Sequence, residues 1–136
     1  MLPRCALCEG DGGVVVWRDA QCRVVRADVE GYPGFLRVVL GRHVAEMTDL
    51  ETAERDRLMH VVFAAERALR DLYRPDKVNL ASFGNQVPHL HWHVIPRYRD
   101  DAHFPEPVWG AQQRMGVARA TVADAQLGAR LTELLG

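Results

Sequence analysis

The sequence predicts an α+β domain built on an antiparallel sheet, and three observations carry that prediction. Short apolar segments before residue 41 and after residue 76 have the length and composition of β-strands. One long amphipathic segment between them has the period of an α-helix. The resulting order of three strands, a helix and two strands differs from the strand–helix alternation of a doubly wound parallel sheet.

The first half of the chain is rich in predicted strands. Residues 10–13 form a glycine-rich turn that leads into a strand over 14–17, and residues 22–27 form its hairpin partner. A second turn at 31–34 precedes an apolar run at 35–40, which predicts a buried strand.

The long helix is predicted over residues 49–73. Thr48 and Glu51 form a capping-box pattern, apolar residues recur along one helical face, and Pro75 ends the helix. Two further strands are then expected, separated by a turn, so that the sheet has about five strands.

The remaining segments complete the prediction. Residues 77–83 are expected to form a strand and 84–88 a turn. Residues 116–135 are a C-terminal helical extension, in which Thr121 and Asp124 cap a short helix that ends near residue 135.

Composition excludes several classes of protein. The chain has 136 residues, 48% of them hydrophobic and 26% charged, which fits one globular domain. A net charge of -1 disfavours general binding of nucleic acid. No segment has the length and apolar character of a signal peptide core or a membrane span, and three cysteines are too few for a disulfide framework. We therefore expect a cytoplasmic protein with no membrane partner.

A run of alternating histidines is the strongest functional signal. His89, His91 and His93 alternate with apolar residues, and prolines stand on both sides of the run. If the run is a strand, its period of two places all three imidazoles on one face. Imidazole can serve as a metal ligand, an acid or base, or a nucleophile. The middle histidine has neighbours about 7 Å away on the same face and is well placed to attack phosphorus.

The preceding turn fits a phosphorylated substrate. Gly84, Asn85 and Gln86 offer backbone N–H groups and side-chain amides that can bind phosphate oxygens. Asn79, at the start of the partner strand, supplies another amide. These four residues are the predicted phosphate and nucleotide site.

Residues 89–95 match the His-x-His-x-His motif followed by two apolar residues, and the chain here resembles the histidine triad (HIT) family. The amide-bearing turn, Asn79 and the following Pro96–Arg97 pair also resemble that family's pattern, most of all in bacterial members named for dinucleoside polyphosphate hydrolysis. The likeness covers about residues 5–109. It implies one HIT domain over 1–136, with its core at about 5–110, and commonly a homodimer.

The resemblance also implies a reaction and its residues. The reaction is hydrolysis or transfer of a nucleotide at its α-phosphate through a nucleotidyl-histidine. His91 would be the nucleophile, His93 would contact phosphate, and His89 would orient the nucleophile and handle the leaving group. Asn79, Asn85 and Gln86 would line the phosphate and ribose site. The chemistry requires no cofactor, and magnesium would enter only with a polyphosphate substrate.

A structural zinc site is a further expectation. Cys5 and Cys8 have the two-residue gap with which two thiolates hold one metal ion. In some relatives the second ligand pair resembles His43 and His89 of this chain. The alternative is that both cysteines are free thiols and His43 lies at the surface.

Two other functions stay open from the sequence. The triad itself could ligate a catalytic zinc in a metal-dependent hydrolase. The domain could also be a nucleotide-binding module with little turnover, for which tight binding without hydrolysis would be the sign.

Overall fold

A computed structural model describes residues 4–136 and contains one antiparallel sheet with helices packed on it. The strand order is β1-β2-β3-β5-β4, and every neighbouring pair is antiparallel. The strands are β1 Val14–Arg18, β2 Cys22–Arg26, β3 Leu36–Leu40, β4 Lys77–Ala81 and β5 His91–Arg97. The helices are α1 Ala6–Glu9, α2 Thr52–Tyr73 and α3 Asp124–Leu135. The prediction of an α+β fold with about five strands, a long helix and a C-terminal helix is confirmed.

The main core lies between one face of the sheet and the two longer helices. Leu36, Val38 and Val94 on the sheet are fully buried against Leu58 and Leu69 of α2. Removing apolar side chains of this size from water contributes about 1.5–3 kcal/mol each. This face of the sheet is therefore structural, and chemistry is left to the opposite face.

Helix α3 completes this core. Leu127 and Leu131 are fully buried, and the helix packs on α2 and β1. Gly128 permits the close approach, because a Cβ there would lie 2.6 Å from the Val16 carbonyl oxygen. Asp124 accepts hydrogen bonds from the Arg26 guanidinium, which ties the start of the helix to β2. Ala123 occupies the N-cap, and no side chain caps α3 there, so the capping role predicted for Thr121 is wrong.

The predicted start of the long helix is also wrong. Helix α2 begins at Thr52, while Thr48 lies in a short 3₁₀ turn, Met47–Asp49. Leu50 between them is extended and only 4% exposed. Burial of that leucine interrupts the helical backbone, so the N-cap is Glu51 and the expected capping box does not form.

The other face of the sheet carries two small apolar clusters. One joins Cys5 and Leu7 to Val25 and Val39, and so attaches the N-terminal segment to the sheet. The second consists of Ala27, Tyr32, Phe35 and Ile95. The first residues of β5 border a cavity at this face, to which His91 and His93 contribute. In the described part of the chain, no helix is long and apolar enough to cross a membrane.

Candidate active site

The alternation of β5 presents two histidines to the open face. His91 and His93 point away from the main core, into which Val94 and Trp92 pack. His91 lies opposite Val39 and His93 opposite Arg37 on the neighbouring strand β3. The two imidazole centroids are 5.0 Å apart, so one ligand can contact both rings.

His91 is oriented by a main-chain contact. Its Nδ1 lies 2.7 Å from the carbonyl oxygen of His89. A carbonyl only accepts, so Nδ1 carries a proton, and in the neutral form of the ring Nε2 keeps its lone pair. His91 is half-buried and lines the cavity described below. This arrangement suits an imidazole that acts as a nucleophile.

His93 is buried and electrically neutral. It is 8% exposed, and the rings of Phe35 and Trp109 lie 5.7 and 5.0 Å away between centroids. Burial, helped by His91 and Arg37, lowers its pKa to about 4. At neutral pH the ring of His93 therefore offers one N–H and one lone pair, and it places no positive charge beside His91.

A cavity of about 570 Å³ opens over these histidines. The 82–88 turn forms one side, where Gly84 has φ +72°, a conformation that favours glycine. Exposed Asn85 and Gln86 line it with their amides, and half-exposed Phe83 and Trp109 add apolar surface. The structure thus brings three of the four predicted phosphate-site residues to the histidines.

Asn79 is used elsewhere. Its Oδ1 accepts a hydrogen bond of 2.8 Å from Arg97 Nη1, and it does not line the cavity. Arg97 also forms an ion pair of 2.9 Å with Asp101 that is almost completely buried. Burial alone would raise the pKa of the Asp101 carboxyl, but hydrogen bonds from Arg97 and from backbone N–H groups hold it far below its usual range. The network fixes the segment that leads to Trp109. The observed contact of Asn79 is therefore with Arg97, and it differs from the phosphate-binding role predicted for this residue.

A second polar cluster lies beside the site. Cys5 Sγ is 3.4 Å and Cys8 Sγ is 3.5 Å from His89 Nδ1, and Cys8 Sγ is also 3.5 Å from His43 Nδ1. One ligand atom from each of these four residues lies within 4.8 Å of all the others. We call these residues, Cys5, Cys8, His43 and His89, the Cys2His2 cluster.

The donor chemistry of this cluster fits zinc. Two thiols and two imidazoles form a donor set that zinc favours in structural sites. His89 Nε2–H donates to the Leu40 carbonyl at 2.6 Å, which leaves Nδ1 unprotonated toward the sulfurs. Such a contact on the second nitrogen is typical of metal-binding histidines. The short helix α1, which the sequence did not predict, carries Cys8 to this position.

The prediction that all three imidazoles share one reactive face requires correction. Strand β5 begins at His91, and the His89 N–H bonds to the Val87 carbonyl in the preceding turn. The His89 ring is completely buried and absent from the cavity lining. Its carbonyl, rather than its imidazole, contacts His91.

Comparison with known proteins agrees with this geometry. The family model for the HIT domain matches residues 12–100. The chain belongs to the HIT family. A histidine triad protein from Bradyrhizobium japonicum is 29% identical, with a TM-score of 0.74 and coverage of 93% of this chain and 92% of that one. A histidine triad protein from Marinobacter aquaeolei VT8 is 28% identical, with a TM-score of 0.71 and coverage of 92% and 90%.

Two curated relatives share a shorter region. An AP-4-A phosphorylase of Mycobacterium tuberculosis is 35% identical over 86 residues, which are 59% of this chain and 44% of the relative. A bis(5'-adenosyl)-triphosphatase of Saccharomyces cerevisiae is 33% identical over 73 residues, 49% of this chain and 35% of the relative. This HIT protein thus spans less than half the length of either curated relative.

Arg37 and Phe83 are among the cavity residues that were not found from the sequence. Arg37 is the one charged residue in the apolar run at 35–40, and that exception was an available signal. Phe83 was assigned to the end of a strand, but β4 stops at Ala81 and frees Phe83 to stand 5.1 Å from Trp109.

Proposed function

We propose that this HIT protein is a nucleotide hydrolase or nucleotidyl transferase that acts at the α-phosphate through a covalent nucleotidyl-His91. The observation that carries the proposal is the orientation of His91. Its Nδ1–H is held by the His89 carbonyl, and its free Nε2 belongs to a ring that lines the cavity beside neutral His93.

The reaction follows from these positions. The Nε2 lone pair of His91 forms a bond to the α-phosphorus, and the bond from phosphorus to the leaving group breaks with its electron pair. A polyphosphate can depart as an anion, whereas an amine must take up a proton. Water, or another acceptor nucleophile, then attacks the same phosphorus, and the bond from phosphorus to Nε2 breaks with its electron pair returning to His91. The attacking group gives its proton to solvent, and with water the product is the nucleoside monophosphate.

Neutral groups suit the binding of phosphate oxygens beside His91. The amides of Asn85 and Gln86 and the neutral His93 donate hydrogen bonds without adding charge. Phe83 and Trp109, 59% and 52% exposed, offer rings on which a base can stack. The names of the curated relatives support a dinucleoside polyphosphate as substrate; a nucleoside phosphoramidate suits the same nucleophile.

Zinc in the Cys2His2 cluster is a separate part of the proposal. Bound there, zinc would supply structural cross-linking between α1, the segment after β3 and the start of the histidine run. No chemical step requires it, because His89 turns its ring away from the cavity. Magnesium would accompany only a polyphosphate substrate.

The alternative of a zinc hydrolase with the triad as ligands has less support. Within residues 4–136, the group of side chains placed to hold a metal includes His89 but neither His91 nor His93.

Homodimer formation and cytoplasmic location stay predictions from the family resemblance and the composition. Sedimentation equilibrium of the purified chain tests the dimer.

The products of diadenosine tetraphosphate test the reaction. Attack of His91 at the α-phosphorus, followed by water, yields AMP and ATP in equal amounts, which anion-exchange chromatography separates. Cleavage to two ADP would contradict attack at the α-phosphorus. Turnover that survives His91→Ala but stops with a chelator would favour the metal-dependent hydrolase. Nucleotide binding without turnover of this substrate or of adenosine phosphoramidate would favour a binding module.

A further inference from the structure

Four arginines on the strands are at least partly buried. Arg26 bonds to Asp28 and Asp124, and two others also have complete structural roles. Arg23 donates through Nε and Nη2 to the carbonyls of Asp11, Leu7 and Gly10 at 2.8–3.1 Å. Arg97 uses all three guanidinium nitrogens on Asn79, Asp101 and Glu106. Each of these guanidinium groups therefore holds one segment of the chain against the sheet.

Arg37 is different because most of its donors are free. A guanidinium has five N–H donors. Within residues 4–136, Arg37 has one hydrogen bond, from Nη1 to the Gly12 carbonyl at 2.9 Å. Its other nitrogens have no protein acceptor and are not fully enclosed. No carboxylate of these residues lies within 4.0 Å of the group.

The position of Arg37 is inside the catalytic cavity. It lies directly opposite His93 across the β3–β5 pair, and both side chains line the same space as His91. Among the described lining residues, Arg37 is the only one with a permanent charge, and none is acidic. The face of Phe35, 5.8 Å away, supports the cation but accepts no directed hydrogen bond.

A half-buried cation without a counter-ion costs free energy unless an anion binds to it. Burial lowers the pKa of Arg37, but guanidinium remains charged at neutral pH. Its planar array of donors matches two oxygens of a phosphate. We propose that Arg37 is the phosphate-binding cation of the site and directs it toward substrates that carry phosphate rather than toward the nucleoside alone. This inference rests on the nucleotide substrate proposed above.

Binding to a catalytically inert protein tests the inference. In a His91→Ala background, adenosine, AMP, ADP and pyrophosphate are titrated calorimetrically into the parent, Arg37→Met and Arg37→Lys. Loss of charge-assisted hydrogen bonds predicts that Arg37→Met binds AMP or ADP about 10- to 100-fold more weakly. Adenosine affinity should change less than twofold. Arg37→Lys keeps the charge without the planar array of donors, so its affinity for AMP and ADP should lie between those of the parent and Arg37→Met.

The nucleotides also locate the contact. Weaker binding of both AMP and ADP places Arg37 at the α-phosphate, and weaker binding of ADP alone places it at a phosphate beyond; either result supports the inference. Arg70→Met, on the exposed side of α2, is the control for loss of one charge and should leave all affinities unchanged.

Two results would overturn the inference. Equal weakening of adenosine and AMP would assign Arg37 to the nucleoside, and unchanged affinities, or no binding of any phosphate probe by the parent, would remove its role. Thermal unfolding of each variant separates these results from a damaged fold. Failure of the proposed reaction is distinguishable, because it appears as absent turnover in the wild-type protein while Arg37-dependent binding persists.

Discussion

The His91–His93 pair and the Cys2His2 cluster lie side by side in the fold but differ in their surroundings. The pair lines an open cavity and has unpaired nitrogens, whereas His89 is fully buried and uses both ring nitrogens within the protein. The two regions meet at one hydrogen bond, from His91 Nδ1 to the His89 carbonyl. One motif can therefore serve structure through its first histidine and chemistry through the other two.

The largest expected effect is on turnover, from His91→Ala. Loss of the nucleophile should lower kcat by on the order of 10⁴-fold. Unfolding by urea should shift by less than about 1 kcal/mol, because one partly exposed hydrogen bond is lost. If His91→Ala also lowered the free energy of unfolding by several kcal/mol, the His91–His93 pair would be part of the structural framework together with the Cys2His2 cluster.

Cys8→Ser should have the opposite profile. If zinc occupies the Cys2His2 cluster at about 100 times its dissociation constant, its loss lowers stability by about 3 kcal/mol and Tm by roughly 10 °C. Zinc content by mass spectrometry and Tm by calorimetry measure the effect, with kcat taken well below the new Tm. Cys22→Ala is the control, since this buried cysteine is outside the cluster and should leave the zinc content unchanged.

His93 links the comparison to pH. The pKa of His93 is about 4 in the folded protein, and it is 6.5 when the ring is in water, as in the unfolded chain. Between these two pH values the unfolded chain therefore binds more protons than the folded protein. The free energy of unfolding therefore has its full value above pH 6.5 and decreases as the pH falls from 6.5 toward 4. The stability advantage of wild type over His93→Gln should shrink by roughly 2 kcal/mol from pH 7 to pH 5. A gap independent of pH in urea titrations would contradict a neutral, buried His93.

The smallest contrast concerns two asparagines. Asn79→Ala removes an acceptor from buried Arg97 and should cost about 1.5–3 kcal/mol of stability with little change in KM. Asn85→Ala changes an exposed cavity residue and should lower kcat/KM by about 10-fold without loss of stability. Urea unfolding and steady-state kinetics on the same pair check both. A fall in kcat/KM for Asn79→Ala alone would return Asn79 to the substrate site.

Local patterns were sufficient for much of this arrangement. Strand alternation correctly placed His91 and His93 together, and the turn predicted at 84–88 located Asn85 and Gln86. Alternation failed at His89, because β5 begins two residues later and the preceding turn rotates that ring toward the cysteines. The grouping of His43 with Cys5 came from family resemblance, since no local rule brings residues so distant in sequence together.

Long-range contacts account for the remaining differences. Asn79 was assigned to the phosphate site because its actual partner could not be foreseen from the sequence. That partner is Arg97, which is held by Asp101, and this contact depends on how the loop after β5 folds back. Arg37 was overlooked because its importance lies in what it lacks: a carboxylate partner, which only the assembled cavity reveals. In both cases the pairing of one guanidinium decides whether a residue is structural or available to a ligand.

Intact-mass spectrometry after brief mixing tests the central claim most directly. The protein is mixed with diadenosine tetraphosphate or adenosine phosphoramidate and measured without acid, with His91→Ala in parallel. We expect a transient adduct of the mass of one adenylyl group on the wild-type protein and none on the variant. Turnover with no adduct, or an adduct that persists in His91→Ala, would contradict covalent catalysis by His91.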